Sequence, residues 1–180
     1  MSNILEYREI IERFARERVN QRVPNGLPQH ASVLMETMFR NAAAEMRIYS
    51  GELHDGVFGS PEMISSVESF LSKPYASMKI LLQKQKDGSW LNSHALVQAI
   101  RQLKDPHGRA EIRCAQGIYA TDSANHFAVM DNDAYRFELD HNATKAVANF
   151  NEPRVAKDLL TAFDRAFDIA GSPIFELSAN

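Results

Sequence analysis

The sequence predicts an α/β fold, a mixed β-sheet sandwiched by helices. Short apolar runs of strand length, such as SMKILLQ (77–83), alternate with segments whose apolar residues recur at helical spacing, such as residues 61–71. Near the carboxyl end the alternation gives way to two apolar runs around Asp131-Asn132-Asp133, a hairpin turn that adds antiparallel strands to the sheet. The composition is that of a globular domain: 44% hydrophobic and 24% charged, which excludes disordered and low-complexity architectures.

The elements follow in order. Residues 3–19 form an amphipathic helix with Ile4, Ile10, Ile11, Phe14 and Val19 near one stripe. That helix (residues 1–24) stands ahead of the main α/β domain (28–175), docked on the domain's own core or paired with a partner helix. VPNGLP (23–28) reads as a turn or linker. A helix over 29–45 leads into a buried strand at Met46, Ile48 and Tyr49. Ser60-Pro61 starts the next helix: Ser60 can cap it, and Pro61 sits where a missing N–H costs nothing. Strand 77–83, a turn at Asp87-Gly88-Ser89, a helix over 91–103 and a strand at 110–115 follow. Strands at 126–131, 134–139 and 145–150 precede a final helix opened by Pro153 and carrying Val155, Leu159, Phe163 and Phe167.

A formal charge of −3 does not advertise a polyanionic partner. It conceals an uneven distribution: residues 72–113 carry eight basic and three acidic side chains. One cysteine, Cys114, excludes a disulfide framework and multi-cysteine zinc sites. The opening MSNILEYREIIERFARERV has no apolar signal core, and no window has the apolar length of a membrane span, so a cytoplasmic protein without membrane contact is expected.

Several stretches resemble the phospholipase D-like superfamily over residues 28–170. IYSGEL, the Ser60-Pro61 helix and SMKILL are similar to the first half of that domain, and HFAVMDNDAYRFE followed by ANFNEPRVAKDLLTAFDRAFD is similar to the segment bearing its H-x-K-x-x-x-x-D motif. The resemblance implies a phospholipase D-like fold. It also implies a histidine nucleophile for phosphorus, a lysine holding phosphoryl oxygens, a carboxylate orienting imidazole, and no metal or cofactor. A chain with one motif must pair as a homodimer to assemble a site. On this sequence His126 matches the histidine. Asp133 falls seven positions on, although a hairpin alignment puts Asp131 at the carboxylate instead. Ala128 stands at the lysine position, so the motif is degenerate. Asn142 matches a downstream family asparagine.

Lys79 and Arg113, on expected strands, are candidates to grip phosphate in place of the missing lysine. Glu52, His54 and Asp55 follow the first core strand, where α/β sheets place ligand loops; a solvated loop is the competing reading. The expected function is a binding or assembly module, homodimeric. Its partner is nucleic acid through residues 72–113 or protein through the amino-terminal helix. The alternative is a metal-independent dimeric phosphodiesterase or nuclease with His126 as nucleophile. A third class is a structural or regulatory subunit of a larger bacterial complex.

Overall fold

Asn3 accepts the Leu5 amide and so starts helix α1 (Ile4–Glu17), which ends at Arg18 in the left-handed region (φ 53°). The computed structural model describes residues 3–84, 89–104, 107–121, 125–140 and 145–177. Helix α1 packs on α2 (Pro28–Asn41), burying Tyr7, Ile11, Phe14 and Ala15. Polar contacts hold the same segment along its length: Arg8 donates to the buried Glu36 (2.8 Å), Arg18 pairs with Asp133, and Arg22 pairs with Glu152. The helix therefore covers the chain's own core.

The remaining helices are α3 (Asp55–Phe58), α4 (Pro61–Leu71), α5 (Ala95–Arg101) and α6 (Pro153–Asp168). The strands are β1 (Val23–Asn25), β2 (Glu45–Ser50), β3 (Ser77–Leu82), β4 (Arg109–Cys114), β5 (Phe127–Met130), β6 (Ala134–Asp140), β7 (Lys145–Asn149) and β8 (Phe175–Leu177). Among the described residues they form one eight-stranded sheet in the order β1-β7-β6-β5-β2-β3-β4-β8. Strands β2, β3 and β4 are parallel, because a helix returns the chain between each pair. Strands β5, β6 and β7 run antiparallel in sequence order, and β5 lies antiparallel to β2.

Alternation along the strands sorts the core into two layers. Met46, Ile48, Met78, Ile80, Ile112, Ala128 and Met130 face α1, α2, α4 and α5, meeting Leu34, Phe39, Val67, Phe70 and Ile100. Tyr49, Leu81, Phe127, Val129 and Tyr135 face α6, meeting Ala156, Phe163 and Phe167. The sheet is thus sandwiched by helices.

Several boundaries differ from the sequence expectation. Residues 23–25 pair with β7 as an edge strand; Pro24 is tolerated because an edge residue can leave its outer side unbonded. Residues 175–177 close the other edge against β4. Helix α2 stops at Asn41, since the amides of residues 43–45 turn to the Asp131 carboxylate. The helix expected over 91–103 is a 3-10 turn (Trp90–Asn92) and then α5, with His94 between them. Among the described residues, no helix is long and apolar enough to cross a membrane.

Candidate functional site

The carboxyl end of β2 and the adjoining starts of β5 and α3 enclose a cleft of about 90 Å3. Its walls include Ala31 and Met35 from α2, Ile48 and Ala128 from the sheet, and Val57 and Phe58 from α3. Its polar groups are Ser50, Glu52, His54, His126, Arg136 and Glu138.

The hairpin register creates this arrangement. Ala128 lies opposite Arg136, and residue 138 returns its amide to the His126 carbonyl. Residues 134, 136 and 138 share a face, so Arg136 and Glu138 point to the same side as Ala128. Arg136 Nη1 donates to Glu138 Oε1 (2.8 Å), and the other carboxylate oxygen meets His126 Nδ1 (2.9 Å). His126 Nε2 meets Gln83 Oε1 (2.9 Å), and the Gln83 amide nitrogen donates to the Thr121 carbonyl. Burial pushes the Glu138 carboxyl up, but the His126 hydrogen bond and the Arg136 charge outweigh it and hold the group down to about 2. Gly51 lies close against the imidazole: a Cβ there would come within 2.9 Å of His126 Cε1. Burial also pushes the Tyr49 hydroxyl up to about 12; that hydroxyl donates to the Tyr119 carbonyl.

Of the residues singled out from sequence, His126, Glu52 and His54 come together in this cleft. His54 caps α3 through its Nδ1, which accepts the Gly56 amide, while the Asp55 carboxylate turns to His94. Those two neighbours diverge, and among the described residues no group of three or more His, Cys, Asp or Glu could hold a metal ion.

The structure does not bring Asp131 or Asp133 to His126. Both lie past the far end of β5, roughly 15 Å along the strand at about 3.3 Å per residue. Asp131, at φ 53°, accepts the amides of Ala43, Ala44 and Glu45, all at 2.9–3.0 Å. Asp133 pairs with Arg18. Lys79 and Arg113 are not in the cleft either. Alternation places them on the α6 face, opposite residues 78, 80 and 112, where both cations lie over the Phe167 ring and Arg113 donates to the Phe167 carbonyl. Cations there complement the carbonyl-rich end of α6. Asn142 lies outside the described residues.

The basic residues of 72–113 scatter likewise. Lys73 donates to the Ala42 carbonyl, Arg101 bonds Asn92, and Lys79 and Arg113 sit under α6.

Arg136, Glu138, Gln83 and Gly51 escaped the sequence reading. The first two were within reach: a turn at 131–133 pairs 128 with 136 and 126 with 138. Gln83 and Gly51 carry no such signal, because their approach to His126 depends on the sheet order, in which β2 lies between β5 and β3.

The architecture is phospholipase D-like. NucT from Helicobacter pylori superposes with a TM-score of 0.59 at 9% identity, over 84% of this chain and 98% of that one. Nuc, a phospholipase D family member from Salmonella typhimurium, superposes at 0.58 and 12% identity, over 85% and 97%. TrmBL2, an archaeal chromatin protein whose structure shows a novel mode of DNA binding, superposes at 0.56 and 16% identity, over 93% and 60%. No curated protein sequence matches. Within this fold class the chain belongs to the family described as a domain of unknown function (DUF7931), whose profile matches residues 27–177. All of α1 and strand β1 precede the matched region.

Proposed function

We propose that the chain is a phospholipase D-like scaffold with a degenerate motif that works as a homodimeric binding and assembly module rather than as a phosphodiesterase. The observation that carries this reading is the occupancy of His126. Both ring nitrogens lie within hydrogen-bond distance of Glu138 and Gln83, at 2.9 Å, so attack on phosphorus would first have to displace one of these partners. A phosphoryl site also needs uncompensated positive charge. Here Ala128 supplies none, and the guanidinium opposite it is neutralised by Glu138.

A protein surface, including a second copy, suits the cleft end better than a polyanion. The cations of residues 72–113 point in different directions and several are already bonded. Exposed apolar side chains lie at the same end of the sheet instead: Leu27 precedes the first turn of α2, Leu139 follows Glu138 in β6, and Ile118 adjoins the Tyr119 carbonyl that holds Tyr49. Self-association through this rim predicts a dimer that Leu139→Glu converts to monomer, checked by analytical ultracentrifugation. A dimer unaffected by Leu139→Glu places the interface elsewhere.

The decisive assay incubates the protein with EDTA and a generic phosphodiester, and with single- and double-stranded nucleic acids, beside His126→Ala. The expected result is no cleavage by either. Cleavage abolished by His126→Ala would sink the reading and establish an active site. The likeness to TrmBL2 motivates a nucleic-acid arm: binding whose affinity falls tenfold or more between low and moderate salt, as several phosphate contacts require, would replace the protein partner with a nucleic acid.

A further inference from the structure

We infer that the turn at residues 73–76 is a docking surface for an acidic segment of a partner protein, with the Tyr75 ring as its anchor. The turn leads into β3, at the end of the parallel strands opposite the cleft. The Lys73 carbonyl accepts the Ala76 amide (3.3 Å), which makes Pro74 and Tyr75 the two central residues. Proline followed by a left-handed residue is the type II pattern, and it favours glycine or asparagine at the second place. Tyrosine stands there instead, at φ 65°. An L side chain in that region crowds its own backbone, and a bulky one is uncommon there.

The ring does not stabilise the fold in compensation. Tyr75 is 92% exposed, and among the described residues it makes no hydrogen bond or ring contact. The backbone beneath it is fixed from several sides. Ala76 is buried, Lys73 Nζ donates to the Ala42 carbonyl (2.6 Å), and Gly108 and Arg109 donate their amides to the Leu71 and Ala76 carbonyls. A Cβ at Gly108 would come within 2.8 Å of the Leu71 carbonyl oxygen, so the two chain segments are in close contact. The tyrosine is thus presented outward from a rigid base, an arrangement that loses little freedom when a partner covers it.

Charge decides what fits. The same junction carries Lys73 and the exposed Arg109, and among the described residues neither has an ion pair. Glu45, which lies across from Ser77, is already engaged by Arg47. Unpaired cations beside an exposed aromatic ring complement a segment that combines carboxylates with an apolar side chain to cover the ring. A nucleic acid fits less well, since one ring is not a row of stacking platforms and two cations do not track a phosphate backbone.

The test uses the full chain and has two parts. In urea denaturation Tyr75→Asn is expected to unfold at the same or a higher urea concentration than the parent, because asparagine tolerates the left-handed region. A lower midpoint would give the ring a role in the fold and overturn the inference. In the second part a displayed random-peptide library is selected on the parent. The peptides recovered are expected to be rich in Asp and Glu with an apolar residue among them. Synthetic copies should lose about tenfold or more in affinity for Tyr75→Asn and for Arg109→Glu, read by fluorescence anisotropy. Peptides without acidic enrichment, or acidic peptides that bind Tyr75→Asn as tightly as the parent, overturn the inference. So does a single-stranded oligonucleotide that binds the parent but not Tyr75→Asn, or a dimer that Tyr75→Asn dissociates; these assign the surface to nucleic acid or to a second copy. None of these readouts involves cleavage, so they stand apart from the fate of His126.

Discussion

Asp131→Ala is expected to lower the free energy of unfolding by about 4 kcal/mol, about 3 of it from losing three charge-assisted hydrogen bonds to backbone amides that net about 1 kcal/mol each. The lost bonds are those to Ala43, Ala44 and Glu45, the residues that end α2 and start β2. Alanine at the left-handed φ of 53° adds a backbone cost of roughly 1 kcal/mol, because its Cβ crowds the carbonyl there. Asp131→Asn keeps both the conformational tolerance and an acceptor, so about half of the loss should be recovered. Urea denaturation of the three proteins checks the series. An Asp131→Ala chain as stable as the parent would remove this carboxylate from its structural role and return it to candidacy as a functional group.

Glu138→Gln is expected to cost about 2–3 kcal/mol at neutral pH, because it leaves the largely buried Arg136 and His126 without their shared anion. The pH dependence fixes the sign. The carboxyl falls from 4.5 to about 2 on folding, so the folded state favours the ionised form. Its contribution is complete above pH 4.5 and is lost as pH falls from 4.5 to about 2. That window corresponds to about 2 kcal/mol after allowance for partial solvent screening. Chemical denaturation between pH 7 and 2 should show the parent losing this increment on the acid side, with Glu138→Gln starting lower and falling less steeply. Parallel profiles for the two proteins would mean that Glu138 is not held by His126 and Arg136, and the cleft's electrostatics would need another description.

Both residues show how far the sequence could be read. Asp131 stands in a stretch whose turn chemistry is evident, and its turn role needed no tertiary knowledge. Its three amide partners did, because residues 43–45 lie more than eighty positions away. Glu138 was legible in principle through the hairpin register, which sets it opposite His126 before any packing is considered. Lys79 and Arg113 illustrate the opposite case: their strands were predictable, but the side each faces depends on which alternate residues the helices bury.

The sequence by itself determined the α/β class, the Ser60-Pro61 helix start, the 131–133 hairpin and the amphipathic amino-terminal helix, since these rest on local periodicity and turn preferences. It also carried the likeness to the phospholipase D-like fold. Only the tertiary structure decided that α1 covers its own core, that residues 23–25 and 175–177 close the sheet edges, and that His126 meets Gln83 and Glu138 rather than Asp131 or Asp133. Strand neighbours in a sheet can be any distance apart in the chain. A side chain's partners are therefore set by strand order and register, which local preferences do not encode.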